Sequence, residues 1–402
     1  MAEQGVHDPA DCAGLILSGG GARAAYQVGV LMAMADLCPR GTRNPFPVIC
    51  GTSAGAINAA ALAAHTHNFR TGVRGLERVW SNLTAEQVYR TDLWTFVRSL
   101  LRWALPGFTT GVTPVHSALL DNSPLRRLLS LLISFSRIQQ GLDQGHLRAL
   151  SISASSYANG ESVSFFQGSK DLPTWARARR RGQPSVIGLD HLLASAAIPV
   201  LFPAQRIADS YYGDGAVRQL APLSPALHLG ASRLLVIGVS GNVSADHQRQ
   251  LRDYPSLAQV LGHVLNSVFV DTLEGDVERL ERINRTLTMI PPAVRSKERV
   301  GLREVEVLKI YPSRPIDEIA AEHINELPRT LRFFLRGSGA TRSPGAAAVS
   351  YLLFEPGFTR ELMRLGYHDA MARKSELLDF LRLPEHRPLA RPRASWLPRI
   401  GF

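Results

Sequence analysis

The chain has 402 residues, of which 45% are hydrophobic and 20% charged, and a formal net charge of +11. That apolar content excludes a wholly disordered chain, and the length favours one large α/β domain with elaborations over several small ones. The excess of positive charge, largely arginine, suits anionic partners, either phospholipid headgroups or nucleic acid, without choosing between them.

Residues 1–11 are polar and hold no apolar stretch of the signal-peptide kind. No segment reaches the roughly 18 apolar residues that span a bilayer. The expected location is therefore cytoplasmic, with attachment to the inner face of a membrane as a peripheral protein. Residues 13–17 read as a buried strand. Next come the turn Ser18-Gly19-Gly20-Gly21-Ala22-Arg23 and a helix over 22–37, in which Tyr26, Val30, Leu31, Met34 and Leu37 recur near 3.6-residue spacing. Residues 48–50 form a second buried strand. It runs into Gly51-Thr52-Ser53-Ala54-Gly55 and a small-residue helix over 54–64. This β-α-β-α order implies a parallel sheet covered on both faces. Cys12, Cys38 and Cys50 lie in or beside apolar segments without a C-x-x-C pair, so buried free thiols are expected rather than a zinc site.

From about residue 65 to 145 the pattern becomes helical, with breaks at Pro106, Pro114 and Pro124, and reads as an insertion. Within it, residues 125–138 carry Leu128, Leu129, Leu131, Leu132, Ile133 and Phe135 between Arg126, Arg127 and Arg137. That pattern suits an interfacial helix as well as a buried one, and Trp94, Trp103 and Phe108 would add anchors. Residues 149–155 and 162–167 form a hairpin around Ala158-Asn159-Gly160. A basic loop (177–181), a short helix (189–197), a turn-bearing segment (211–216) and a buried strand (234–239) follow. Beyond lie a long helical stretch (254–286), a strand (305–311) and further helices. Residues 384–402 are a Pro/Arg-rich tail with Arg387, Arg391, Arg393 and Arg399. The expected organisation is a catalytic domain at 13–240 with its insertion, a mostly helical extension at 241–383 packed on the core, and the tail.

Gly51-x-Ser53-x-Gly55 matches the nucleophile-elbow pattern, in which a serine takes a strained turn between strand and helix and small neighbours avoid a clash. The pattern alone is weak; its position after an apolar strand and before an alanine-rich helix strengthens it. Gly19–Gly21 sit at a strand end and helix start, where bare amides can face an anion and Arg23 would add charge. Gly19-x-Gly21-x-x-Ala24 also meets a loose dinucleotide fingerprint. That reading wants an acid at the end of the next strand, where this chain has Cys50-Gly51-Thr52-Ser53 instead. An oxyanion hole is the other reading. A serine needs a base, and none of His191, His228, His263, His323 or His368 sits in a small-residue loop after a strand. Asp214, in Tyr212-Gly213-Asp214-Gly215-Ala216, is bracketed by glycines in apolar surroundings, and burial would raise its pKa into a useful range.

These motifs, with Ala194-Ser195-Ala196-Ala197-Ile198-Pro199 and Phe202-Pro203, resemble in order and kind the patatin-like phospholipases. The resemblance covers about residues 14–238 apart from the insertion. It implies a three-layer α/β/α fold with a mainly parallel sheet. It further implies a Ser53–Asp214 dyad without histidine, an oxyanion hole from the Gly19, Gly20 and Gly21 amides with neighbouring Ala22 and Arg23, and supporting roles for Gly51, Gly55, Gly213 and Gly215. The implied reaction is hydrolysis of a lipid ester with no metal or other cofactor. Phospholipid or another lipid ester is the expected substrate and partner, with peripheral contact to anionic membrane and no nucleic acid. Ala24 departs from the family's usual glycine. A catalytically weak lipid-binding or regulatory protein that keeps the fold is the alternative.

Overall fold

The computed structural model describes residues 11–90, 118–240, 256–291, 294, 302–332 and 346–384. Trp94, Trp103, Phe108, Pro106, Pro114 and the four tail arginines lie outside these residues. Ten strands form one sheet: β1 (Ala13–Leu17), β2 (Val48–Thr52), β3 (Ala149–Ser156), β4 (Ser162–Gly168), β5 (Trp175–Arg177), β6 (Arg180–Pro184), β7 (Gln205–Ile207), β8 (Ser210–Asp214), β9 (Arg233–Ile237) and β10 (Glu306–Ile310). The order is β10-β9-β1-β2-β3-β4-β6-β5, and β8 pairs with both β3 and β7. From β10 to β3 all neighbours run parallel, and β4 then pairs antiparallel with β3.

Period-two alternation gives each central strand two buried faces. Leu15, Leu17, Ile49, Leu235 and Ile237 point into one core, and Ile16, Val48, Cys50, Leu234 and Val236 into another on the opposite face. Helices cover both. The first face receives α1 (Ala25–Leu37), α2 (Ala54–Ala63) and α3 (Phe69–Trp80). Residues of Ser224–His228 and Thr272–Met289 pack on the second. The fold is thus the expected three-layer α/β arrangement. The three cysteines are buried and free.

α1 differs from the amphipathic helix expected. A 3-10 turn (Gly21–Ala24) precedes it, and all thirteen of its residues are buried. The helix Pro356–Ala372 and α3 pack against it in addition to the sheet, so no face meets water. The segment 177–181, read as a loop, belongs to the β5–β6 hairpin, whose tight connection holds Arg179 at φ 57°. Of residues 211–216, read as a turn-bearing segment, 211–214 belong to strand β8 and 215–216 open a 3-10 turn. Among the described residues, no helix is long and apolar enough to cross a membrane.

Candidate active site

Sheet register brings two distant parts of the chain together. β2 pairs along one edge of β3 and stops where Thr52 faces Ser153. β8 takes over the same edge from the opposite direction, with Asp214 facing Ala154, while β4 holds the other edge. The ends of β2 and β8 therefore abut, and the residues at the junction are Ser53 and Asp214.

Ser53 sits between β2 and α2 at φ 54°, ψ −129°, a conformation rare for a residue with a Cβ. Its N–H donates to Ser195 Oγ (2.9 Å), and Ser195 Oγ donates to the Ser153 carbonyl (2.6 Å). Gln219 braces the same turn, accepting from Thr52 Oγ1 (2.7 Å) and donating to Ser153 Oγ (2.9 Å). These bonds hold the strained turn in place. The absence of a side chain at Gly55 lets α2 approach the Leu17 and Ser18 carbonyls, and at Gly215 it lets the chain pass the Ser153 carbonyl. A side chain at Gly51 would strike Gly55 and Ala56, and one at Gly213 would strike Tyr157.

Asp214 is fully buried. Its Oδ1 accepts from the Ala216 N–H (2.9 Å), its own N–H donates to the Ala197 carbonyl (2.8 Å), and its carbonyl accepts from Ser155 Oγ (2.7 Å). Oδ2 is buried and accepts no aligned hydrogen bond among the described residues. Burial pushes the carboxyl from 3.8 up to about 7, and the nearby Ser53 hydroxyl and the Ala216 amide pull against that rise. No histidine donates to Ser53 or Asp214 among the described residues. His191 caps the Gly188 N–H, and His228 stacks on Trp175.

The glycine loop lies against the serine, since a Cβ on Gly19 would stand 3.0 Å from Ser53 Cβ. Among the described residues, the Gly19, Gly20 and Gly21 amides meet no backbone acceptor. The other two expected donors are committed elsewhere: Ala22 N–H donates to the Tyr351 carbonyl (3.0 Å) and Arg23 N–H to the Gly20 carbonyl (3.1 Å). Nor does the Arg23 side chain bring charge to the loop. Its Nε donates to Ser350 Oγ (2.7 Å) and its guanidinium lies 4.1 Å from the centre of the Tyr351 ring. Gly21, at φ 55°, has the Tyr351 carbonyl pressed where a Cβ would be. Phe269 closes the loop from the other side and packs on Tyr351 at 5.3 Å. Tyr351 Oη in turn donates to Asn266 Oδ1 (2.8 Å). Ala24 fits without strain inside the buried 3-10 turn.

From Gly21 and Ser53 an apolar cavity of about 270 Å³ runs between α2 and α3. Ile57 and Ala61 line one wall, Leu76 and Val79 another, and Leu125 and Leu129 form a roof. A buried polar chain ties its inner end to the loop. Trp80 Nε1 donates to Asn58 Oδ1 (2.9 Å), Asn58 Nδ2 to Gln27 Oε1 (3.0 Å), and Gln27 Nε2 to the Ser18 carbonyl (2.8 Å). Residues 125–138, read as one helix that could be interfacial or buried, are two helices. The segment splits into Ser123–Leu132 and Phe135–Asp143 at Ile133 and Ser134, and Leu125, Leu129 and Ile138 are buried. Leu131 (84% exposed) points outward, and the half-exposed Leu132 borders the cavity.

Sequence reasoning missed Tyr351, Phe269 and Gln219, whose sequence surroundings carry no motif. Ser195 lay in a noted block of small residues without an assigned part.

A family profile described as Patatin-like phospholipase matches residues 15–227, more than half of the chain. The protein belongs to this family, whose activity is lipid acyl hydrolysis. No curated protein matches the sequence. The chain is similar to a solved structure of human GIVD cytosolic phospholipase A2 in complex with methyl gamma-linolenyl fluorophosphonate, with 13% identity and a TM-score of 0.38. That likeness covers 93% of this chain and 59% of the other, so the chain spans under two thirds of that protein's length.

Proposed function

We propose that the protein cleaves fatty-acyl esters of phospholipids or lysophospholipids, with Ser53 as nucleophile and Asp214 as its base. The observation that carries this reading is the abutment of β2 and β8, which sets a strained serine beside a buried carboxyl whose Oδ2 accepts no aligned hydrogen bond among the described residues. A base near neutrality matches the task of taking the Ser53 proton.

In this reading Ser53 Oγ attacks the acyl carbonyl while Asp214 accepts the hydroxyl proton. The Gly19, Gly20 and Gly21 amides receive the negative charge that develops on the carbonyl oxygen. Loss of one such donor costs about 3–4 kcal/mol of transition-state stabilisation in comparable sites. Collapse expels the alcohol, which takes the proton back from Asp214, and leaves acyl-Ser53. Water, deprotonated by Asp214, then releases the fatty acid. The apolar cavity receives the acyl chain, each buried methylene contributing about 0.8 kcal/mol. The exposed Leu131, with Arg127 also exposed, supports contact between this end of helix Ser123–Leu132 and an anionic lipid surface.

The test is incubation of purified protein with mixed lipids, with released fatty acids read by mass spectrometry. Ser53→Ala should release none while melting like the parent. Equal release by parent and Ser53→Ala would refute the assignment. Lipid binding without release by the parent would point to the lipid-binding alternative.

A further inference from the structure

Gly75 occupies the middle of α3, where glycine weakens a helix relative to alanine. The usual reasons for a glycine there do not apply. Its backbone is not in the left-handed region. Among the described residues, a Cβ built on it meets no atom within 4 Å, so none of these neighbours demands the missing side chain. Gly72, one turn earlier, is different: a Cβ there would press on His65 Cβ at 2.9 Å. Gly75 is half-buried and forms part of the cavity wall, so the open space beside it is the cavity itself. Gly275, a mid-helix glycine with equally open surroundings, is exposed to water instead.

Its place along the cavity follows from the helix pairing. α2 leads away from Ser53 and α3 returns beside it, with Gly72 against His65 at the far end. Trp80 meets Asn58 nearer the serine. At about 1.5 Å per residue, Asn58 lies about 7 Å beyond Ser53 and Gly75 about as far again beyond Trp80. Gly75 thus stands about 15 Å from the nucleophile. Three backbone bonds advance an extended chain by about 3.6 Å, so an alkyl chain covers that span in about 12 carbons.

We propose that Gly75 sets the upper limit of acyl length, its bare backbone keeping the distal channel open to chains longer than about 12 carbons. The inference rests on the acyl-hydrolase reading above. The experiment compares Gly75→Leu and Gly75→Ala with the parent on p-nitrophenyl hexanoate and palmitate. The readout is the palmitate-to-hexanoate ratio of kcat/KM, because a hexanoyl chain ends short of Gly75. On palmitate, kcat/KM falls by roughly tenfold or more in Gly75→Leu and by less in Gly75→Ala. A length profile parallel to the parent's, or an equal loss on both esters, overturns the proposal. Gly75→Ala, which favours the helix, carries the test if the leucine variant folds poorly.

Failure of the underlying hydrolase reading has a separate signature: the parent turns over neither ester, and a fluorophosphonate does not label Ser53. Calorimetric binding of palmitate and hexanoate then decides. Selective loss of palmitate binding in Gly75→Leu upholds the length limit, and unchanged palmitate binding refutes it.

Discussion

Replacing Asp214 with asparagine should remove activity and stabilise the fold, and the stabilisation should depend on pH. The carboxyl is fully buried and its pKa is raised from 3.8 to about 7. Between those values the folded chain holds a proton that the unfolded chain has released. Stability therefore falls as pH rises, by about 1.4 kcal/mol per pH unit. Integrated from 3.8 to about 7, this group lowers parental stability by about 4 kcal/mol. Asparagine keeps the shape and can still accept from Ala216 N–H, but it does not titrate. Urea denaturation of parent and variant at a series of pH values measures the difference. It should grow in favour of the variant by about 4 kcal/mol between about pH 4 and pH 8. Parental kcat/KM should climb about tenfold per pH unit over the same range and level off above about pH 7. A stability difference that stays flat with pH would refute the raised pKa. An activity plateau already reached at about pH 5 would refute Asp214 as a base titrating near neutrality.

Ser195→Ala removes both the acceptor of the Ser53 N–H and the donor to the Ser153 carbonyl. It should cost about 1–3 kcal/mol in denaturation experiments and lower kcat more than it raises KM, because it loosens the turn without touching the lipid channel. Leu131→Glu, at an exposed site away from the dyad, should weaken sedimentation with anionic vesicles while leaving hydrolysis of a short, water-soluble ester at the parent level.

The site was legible where its logic is local. Ser53 requires small residues on both sides, and Asp214 requires glycines to enter a crowded junction. Both demands leave short patterns in the sequence. The strands 13–17, 48–50 and 234–239 were legible because continuous apolar runs mark strands buried on two faces. Other features escaped because their causes are remote. α1 shows a helical period, yet the period picks out no solvent face, since packing against Pro356–Ala372 buries the whole helix. Leu129 reads like Leu131 in the sequence, and only the cavity beneath separates the inward residue from the outward one. β8 was hidden by Ser210, Gly213 and Asp214, which speak for a turn until β3 offers an edge. The commitment of the Ala22 amide and of the Arg23 guanidinium depends on Tyr351 and Ser350, which no local pattern announces.

The latch between the glycine loop and the stretch around Tyr351 joins the two ends of the fold. Arg23 and Ser350 are 327 residues apart, and the Tyr351 carbonyl settles onto Ala22 beside them. β10, which follows β9 by some seventy positions in the chain, also completes the sheet edge from the late half. During synthesis, Ser53 and Asp214 can both have left the ribosome while the glycine loop still lacks its brace. Contacts of such long range form late and slow folding. The glycine loop therefore gains this brace only once the chain around Tyr351 has been made.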